Sequence, residues 1–144
     1  MFSLITLAPG ILPGQTLASW FGTWKLNVAK STFGPALIYK SATRRIELSD
    51  GAVAIVDDLV RSRGGIVHLE WTGKLDGLDY AVQGVEVVLT NAYRCLDDRT
   101  CELTQKMDGE VVATARLAIS PDGKTLTAVT SSRTGMATTI YERQ

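Results

Sequence analysis

Gly22-Thr23-Trp24-Lys25-Leu26 is a short strand-like run, and the chain finishes on a second one, Thr139-Ile140-Tyr141-Glu142-Arg143. What lies between them decides the fold. From Gly22 onward, strand-like runs alternate with turn signals about every eight to twelve residues, the spacing of an all-β sandwich or barrel. The turns are Ser49-Asp50-Gly51, Arg63-Gly64-Gly65, Asp76-Gly77, Gln83-Gly84, Asp97-Asp98, Asp108-Gly109, Pro121-Asp122-Gly123 and Thr134-Gly135. Asp-Gly and its relatives supply the positive φ angles that tight hairpins need. The candidate strands are 22–28, 37–49, 52–62, 66–75, 79–83, 85–95, 101–107, 110–120, 124–132 and 136–143. Connections this short hold no crossover helix, so sequence neighbours are expected to pair antiparallel. Flat, such a meander leaves two edges; closure removes them. The expected fold class is therefore all-β, a closed up-and-down antiparallel barrel of about eight to ten strands, with a two-sheet sandwich as the alternative.

The totals fit one domain. The chain has 144 residues, and fifteen Lys and Arg balance fifteen Asp and Glu for a net charge of +0. That balance lacks the basic footprint of a nucleic-acid binder, and no polybasic block suggests an anionic membrane surface. Residues 1–19 carry no charged side chain, but Pro9-Gly10 and Pro13-Gly14 interrupt them, so they do not form a membrane-spanning helix. Thr16-Leu17-Ala18 resembles a small-residue cleavage site, although the basic start of a signal peptide is missing. The segment 1–19 is read as a signal-like leader or an apolar arm packed on the barrel, and 20–144 as the barrel domain. The leader reading implies a secreted or periplasmic protein, the arm reading allows a cytoplasmic one.

Turn chemistry also suggests a register. If Cys95 and Cys101 are opposite, Tyr93 faces Leu103, Asn91 faces Gln105 and Leu89 faces Met107, with Val85 and Val87 on the same interior face. A two-residue Asp108-Gly109 turn then pairs Gln105 with Val112 and Cys101 with Arg116, pointing Arg116 inward. A bulged Pro121-Asp122-Gly123 turn pairs Ala118 with Leu126 and Arg116 with Ala128. A Thr134-Gly135 turn pairs Thr130 with Thr139 and Ala128 with Tyr141. One count opposes this register. The face holding Val111, Ala113, Ala115, Leu117 and Ile119 is more apolar than the face holding Glu110, Val112, Thr114, Arg116 and Ala118. A bulge would exchange the two faces; otherwise the apolar face is covered by the N-terminal arm or by a second copy in a homodimer.

Phe21-Gly22-Thr23-Trp24-Lys25-Leu26, the Met107-Asp108-Gly109-Glu110 hairpin and Thr139-Ile140-Tyr141-Glu142-Arg143 together resemble the lipocalin and fatty-acid-binding-protein superfamily. Gly22 to Asn27, Lys30-Ser31, Phe33 and Ser120 to Thr125 are similar to the pattern of small bacterial lipocalin-like proteins. The resemblance implies a barrel over residues 20–144 that holds a small hydrophobic or amphipathic, fatty-acid-like ligand. It implies a carboxylate site in which Arg116 takes the arginine position after the Asp-Gly hairpin and Tyr141 the tyrosine of the last strand. Thr139 replaces the family's second arginine, and Gln105 matches a polar interior position. The family's helical lid has no counterpart in the ten or so residues that join the first two strands. Trp24 is expected to plug the closed end under Arg143, a cation–π contact of about 0.5–2 kcal/mol.

Other residues are open to two readings. Trp71, Tyr80 and Tyr93 either line a pocket or form plain core. An inward Arg116 needs a counter-charge, from a ligand carboxylate or from an internal acid such as Glu86 or Glu110. Cys95 and Cys101, opposed at a hairpin mouth, are a disulfide candidate in an exported protein and reduced in a cytosolic one. His68, the single histidine, alternates with Ile66 and Glu70 on a solvated face, so haem ligation or base catalysis is disfavoured. Asp57-Asp58 and Asp97-Asp98 are adjacent carboxylates that point to opposite strand faces or lie in turns, a poor glycosidase pair. No metal-ligand spacing or cofactor motif occurs, so no cofactor is expected. The expected function is a non-enzymatic carrier. The alternatives are an interaction or dimerisation module with a filled core, and a small-barrel enzyme using Arg116 and Tyr141.

Overall fold

The computed structural model describes residues 17–34 and 39–144. Ten strands form a closed barrel: β1 (Gly22–Leu26), β2 (Tyr39–Ser49), β3 (Ala52–Arg61), β4 (Ile66–Gly73), β5 (Tyr80–Gln83), β6 (Leu89–Asp97), β7 (Thr100–Met107), β8 (Glu110–Ile119), β9 (Thr125–Ser132) and β10 (Gly135–Arg143). Each pairs antiparallel with its sequence neighbours, and β1 closes the ring against β10, Trp24 opposite Arg143 and Leu26 opposite Tyr141. Among the described residues there is no helix, and a single turn at 28–30 stands between β1 and β2. The leader expected at the N-terminus lies largely outside the described residues; of it, Leu17 packs against the core.

Turn residues set the hairpins. Asp50-Gly51 and Asp108-Gly109 both hold two successive positive φ angles (48° and 79°, 51° and 83°), the conformation that matches the twist of a two-residue hairpin. Strand β6 starts at Leu89, four residues later than the run of valines suggests. Val85 and Val87, expected on the interior face, are exposed in the connection before it.

The register from β6 to β7 is as the turn chemistry gives it, with Leu89, Asn91, Tyr93 and Cys95 opposite Met107, Gln105, Leu103 and Cys101. The next hairpin differs. Lys106 pairs with Val111 but Gln105 pairs with Ala113, so Val112 is an extra residue in a bulge. That one residue exchanges the faces of β8. Ala115, Leu117 and Ile119 turn into the core, and Arg116 turns out, opposite Glu102 rather than Cys101. The apolar count decides the register, because a strand with one buried face gains most by burying its apolar set. Of the apolar row that suggested a covered outer face, Ala115, Leu117 and Ile119 are thereby buried, Ala113 is half-buried and Val111 stays exposed.

Downstream, Leu117 and not Arg116 faces Ala128, and Ile119 faces Leu126. The last hairpin turns on Arg133-Thr134, with Ser132 opposite Gly135, which puts Thr139 opposite Ala128 and Tyr141 opposite Leu126. This is a two-residue shift from the expected pairing, so Thr139 and Tyr141 stay on the inner face.

One end of the barrel is sealed. Trp24 is fully buried, and its indole Nε1 donates to the Trp20 carbonyl at 2.9 Å. Trp20 in turn donates to the Asp98 carbonyl at 2.7 Å, tying the entry segment to the β6–β7 turn. The Arg143 guanidinium lies 4.3 Å from the Trp24 ring. It donates to the carbonyls of Gly123 (2.8 Å), Phe21 (2.7 Å) and Ser19. Gly22 is required here twice over. Its φ is +132°, and a Cβ would sit 2.8 Å from Arg143 Nη1. Asn27 Nδ2 donates to Glu142 Oε1 at 2.7 Å, and Ser31 Oγ accepts from the Ile140 amide at 3.0 Å. The opening and closing motifs of the chain thus form a single clasp.

Candidate ligand-binding cavity

The half of the barrel away from the clasp holds a cavity of about 350 Å3. Its walls are aliphatic and aromatic, with small residues on β8 and β9 (Ala113, Ala115, Ala128, Thr130) leaving the space. Ligand pockets commonly start near this size and combine apolar walls with a few fixed polar groups. Nearer the sealed end, a void of about 30 Å3 lies beneath Leu17, Trp20 and Phe21, the space of about one water.

Tyr141, Thr139, Gln105, Trp71 and Tyr93 all line the main cavity. Arg116 does not. Its side chain lies on the outer surface, 62 % exposed, with Nη2 3.4 Å from Glu102 Oε2. The carboxylate anchor expected from the resemblance is therefore absent from the interior, and its counter-charge is neither Glu86 nor Glu110.

The interior arginine is instead Arg44 on β2. It faces Asp57 on β3 directly in the register. Nε donates to Asp57 Oδ1 at 2.7 Å and Nη2 to Oδ2 at 3.0 Å, a forked pair. Both side chains border the cavity and are largely buried, 17 % and 14 % exposed. Burial opposes the Arg44 charge, but the carboxylate of Asp57, with Tyr93 and Tyr141 nearby, more than offsets it and holds the pKa above the ordinary arginine value. Among the described residues, Arg44 Nη1 has no hydrogen-bond partner. The guanidinium carbon lies 5.9 Å from the centre of the Tyr141 ring. Burial raises the Tyr141 and Tyr93 phenols, which the Arg44 charge partly opposes, so both stay protonated.

Trp71 is both wall and staple. Strand β5 is short and pairs through two residues on each side. The Trp71 indole Nε1 spans it, donating to the carbonyls of Tyr80 (3.2 Å) and Asn91 (3.1 Å). Its ring meets Tyr93 edge-on at 4.8 Å and Tyr80 at 5.8 Å. Tyr80 directs its hydroxyl to Asp76 Oδ2 at 2.8 Å. Gln105 Nε2 donates to Asn91 Oδ1 at 3.0 Å, a second polar pair on the wall.

Cys95 and Cys101 are directly opposed and form a disulfide. His68 is on the outer face, Nδ1 2.6 Å from Asp58 Oδ1 and Nε2 3.1 Å from Glu70 Oε1. Asp57 and Asp58 do point to opposite faces, one to Arg44 and one to His68. Among the described residues, no cluster of His, Cys, Asp or Glu could hold a metal ion, and no helix is long and apolar enough to cross a membrane.

Neither protein-family models nor curated protein sequences match the chain. Solved structures do. A mutant of the fluorescent protein UnaG superposes with a TM-score of 0.62 at 16 % identity, covering 90 % of this chain and 99 % of that one. Wild-type UnaG gives 0.59 at 16 % identity over 90 % and 100 %. A protein described as the REP1-NXSQ fatty acid transporter gives 0.62 at 12 % identity over 88 % and 97 %. At these identities the likeness is one of fold, and the chain has the ten-stranded barrel fold of the fatty-acid-binding-protein type.

Proposed function

We propose that this protein is a non-enzymatic carrier of a small hydrophobic or amphipathic ligand, held inside the barrel. The observation that carries the reading is the cavity of about 350 Å3 behind a sealed end, with apolar walls and a few polar groups grouped around Arg44. A filled core would have favoured an interaction module. The similarity in fold to a fatty acid transporter supports the same reading. Burial of the ligand's apolar surface supplies the affinity, at about 25 cal/mol per Å2; Tyr141, Thr139, Gln105 and Arg44 orient its polar end. The Cys95–Cys101 disulfide supports a location outside the reducing cytoplasm, secreted or periplasmic.

The test is native mass spectrometry of the purified protein, extraction of whatever is retained, and titration with an uncharged solvatochromic dye. Ala113→Phe, which fills the cavity, should abolish dye binding while preserving the β-rich circular dichroism spectrum. Arg116→Ala should leave binding unchanged. Dye binding that survives Ala113→Phe, or the absence of any retained or added ligand, refutes the carrier reading.

A further inference from the structure

We infer that the ligand's polar end is uncharged and carries a hydrogen-bond acceptor of carbonyl type, so that the cavity selects against a free carboxylate. The inference rests on the carrier reading and deepens it. It starts from the charge balance of the cavity. Arg44 is the cationic group in its wall, and Asp57 already neutralises it through a forked pair of 2.7 and 3.0 Å. An arriving carboxylate would find no uncompensated positive charge. It would lie beside Asp57 in a region of low dielectric, where like charges repel strongly and each loses its hydration. Displacing Asp57 from Arg44 would strand a buried carboxylate instead.

The same geometry leaves donors for a neutral acceptor. A guanidinium has five N–H groups, and Asp57 takes one from Nε and one from Nη2. Among the described residues, no protein acceptor meets Nη1. The Tyr141 hydroxyl, on the ring beneath the Arg44 guanidinium, also has no protein partner there, and burial keeps it protonated. Both residues border the cavity. A carbonyl oxygen of an amide, ester or ketone can accept from these groups without bringing a charge. The outer Arg116, paired with Glu102, offers no second cationic anchor. The cavity has room for about a dozen water-sized groups at ~30 Å3 each, which suits a compact ligand with one such polar end.

The experiment uses the full chain and two ligands of matched shape, decanoate and decanamide, each displacing the uncharged dye near neutral pH. Decanamide should bind more tightly by about tenfold or more. Asp57→Asn removes the internal counter-charge, so decanoate should gain affinity relative to decanamide by a similar factor. Tyr141→Phe keeps the ring and removes one donor, and should weaken decanamide by about fivefold. The comparison in the unaltered protein needs no variant to fold. Decanoate binding as well as or better than decanamide overturns the inference while leaving the carrier reading standing. Failure of both ligands and the dye to bind overturns the carrier reading itself. An unchanged preference in a folded Asp57→Asn protein overturns the role given to the pair.

Discussion

At the sealed end, Arg143 spends its guanidinium on three backbone carbonyls and the face of Trp24. In the cavity, Arg44 spends its own on one carboxylate, and among the described residues no hydrogen-bond partner meets its Nη1. Both arginines are largely removed from water, yet one is part of a finished structure and the other of an open one. Where all three guanidinium nitrogens meet fixed acceptors, the local structure is closed to ligands and contributes to stability. Where charge is balanced but donors remain, the cost of burial is met and capacity for recognition is left over.

The sharpest way to break the comparison is at the sealed end. Trp24→Ala removes a fully buried indole, its bond to Trp20 and the surface on which Arg143 stacks. It should cost about 5 kcal/mol, the upper end for large-to-small core changes, read from urea denaturation midpoints. The matching experiment in the cavity has a different logic. Asp57→Ala strands the Arg44 charge and should cost about 3 kcal/mol, whereas the double change Arg44→Met with Asp57→Leu should lie within about 1 kcal/mol of the parent or above it. If the single and double variants lose equal stability, the pair is not a self-contained unit.

The fold was legible because turn chemistry and strand alternation agree over most of the chain. Asp50-Gly51 and Asp108-Gly109 mark their hairpins unambiguously, and the opposed cysteines fix the β6–β7 register. Val112 defeats the same logic. A bulge leaves no residue signature of its own, and a single added residue moves Arg116 from the interior to the surface. The warning was the apolar row Ala113, Ala115, Leu117 and Ile119. The actual interior charges were also within reach. Arg44 shares its face with Ala42 and Ile46, and Asp57 shares its face with Val53, Ile55 and Leu59. A two-residue Asp50-Gly51 turn places these two opposite charges directly across from each other. The cavity itself was not legible, since its volume depends on how far the side chains of ten strands reach across the barrel.

Away from both regions the expected effects shrink. The Cys95–Cys101 disulfide joins residues six apart in sequence, so it constrains a short loop. Reduction should lower stability by about 2 kcal/mol, seen as a shift in the denaturation midpoint with and without dithiothreitol. The cavity should be unaffected, so dye affinity of the reduced, folded protein should match that of the oxidised one. A large loss of affinity would mean that the β6–β7 hairpin shapes the site as well as the sealed end.

The smallest effect belongs to His68, which tests whether a charged cluster outside the barrel matters to either region. Hydrogen bonds to Asp58, and then to Glu70, raise its pKa above 6.5. A raised pKa means that the folded state binds the proton more tightly than the unfolded chain does. The contribution is therefore fully present below about pH 6.5 and disappears as the pH rises through the higher folded value. His68→Gln should flatten that part of the pH–stability profile and leave it unchanged on the alkaline side, where the imidazole is neutral in both states. Because the imidazole and both acids are solvent-exposed, the change should be near the limit of a denaturation measurement, and NMR titration of the imidazole is the more direct reading. An imidazole that titrates at or below its ordinary value would show that Asp58 and Glu70 do not hold it. The outer face of β3 and β4 would then contribute nothing to the pH response, while the inner face of the same strands, through Asp57 and Trp71, would still define the cavity.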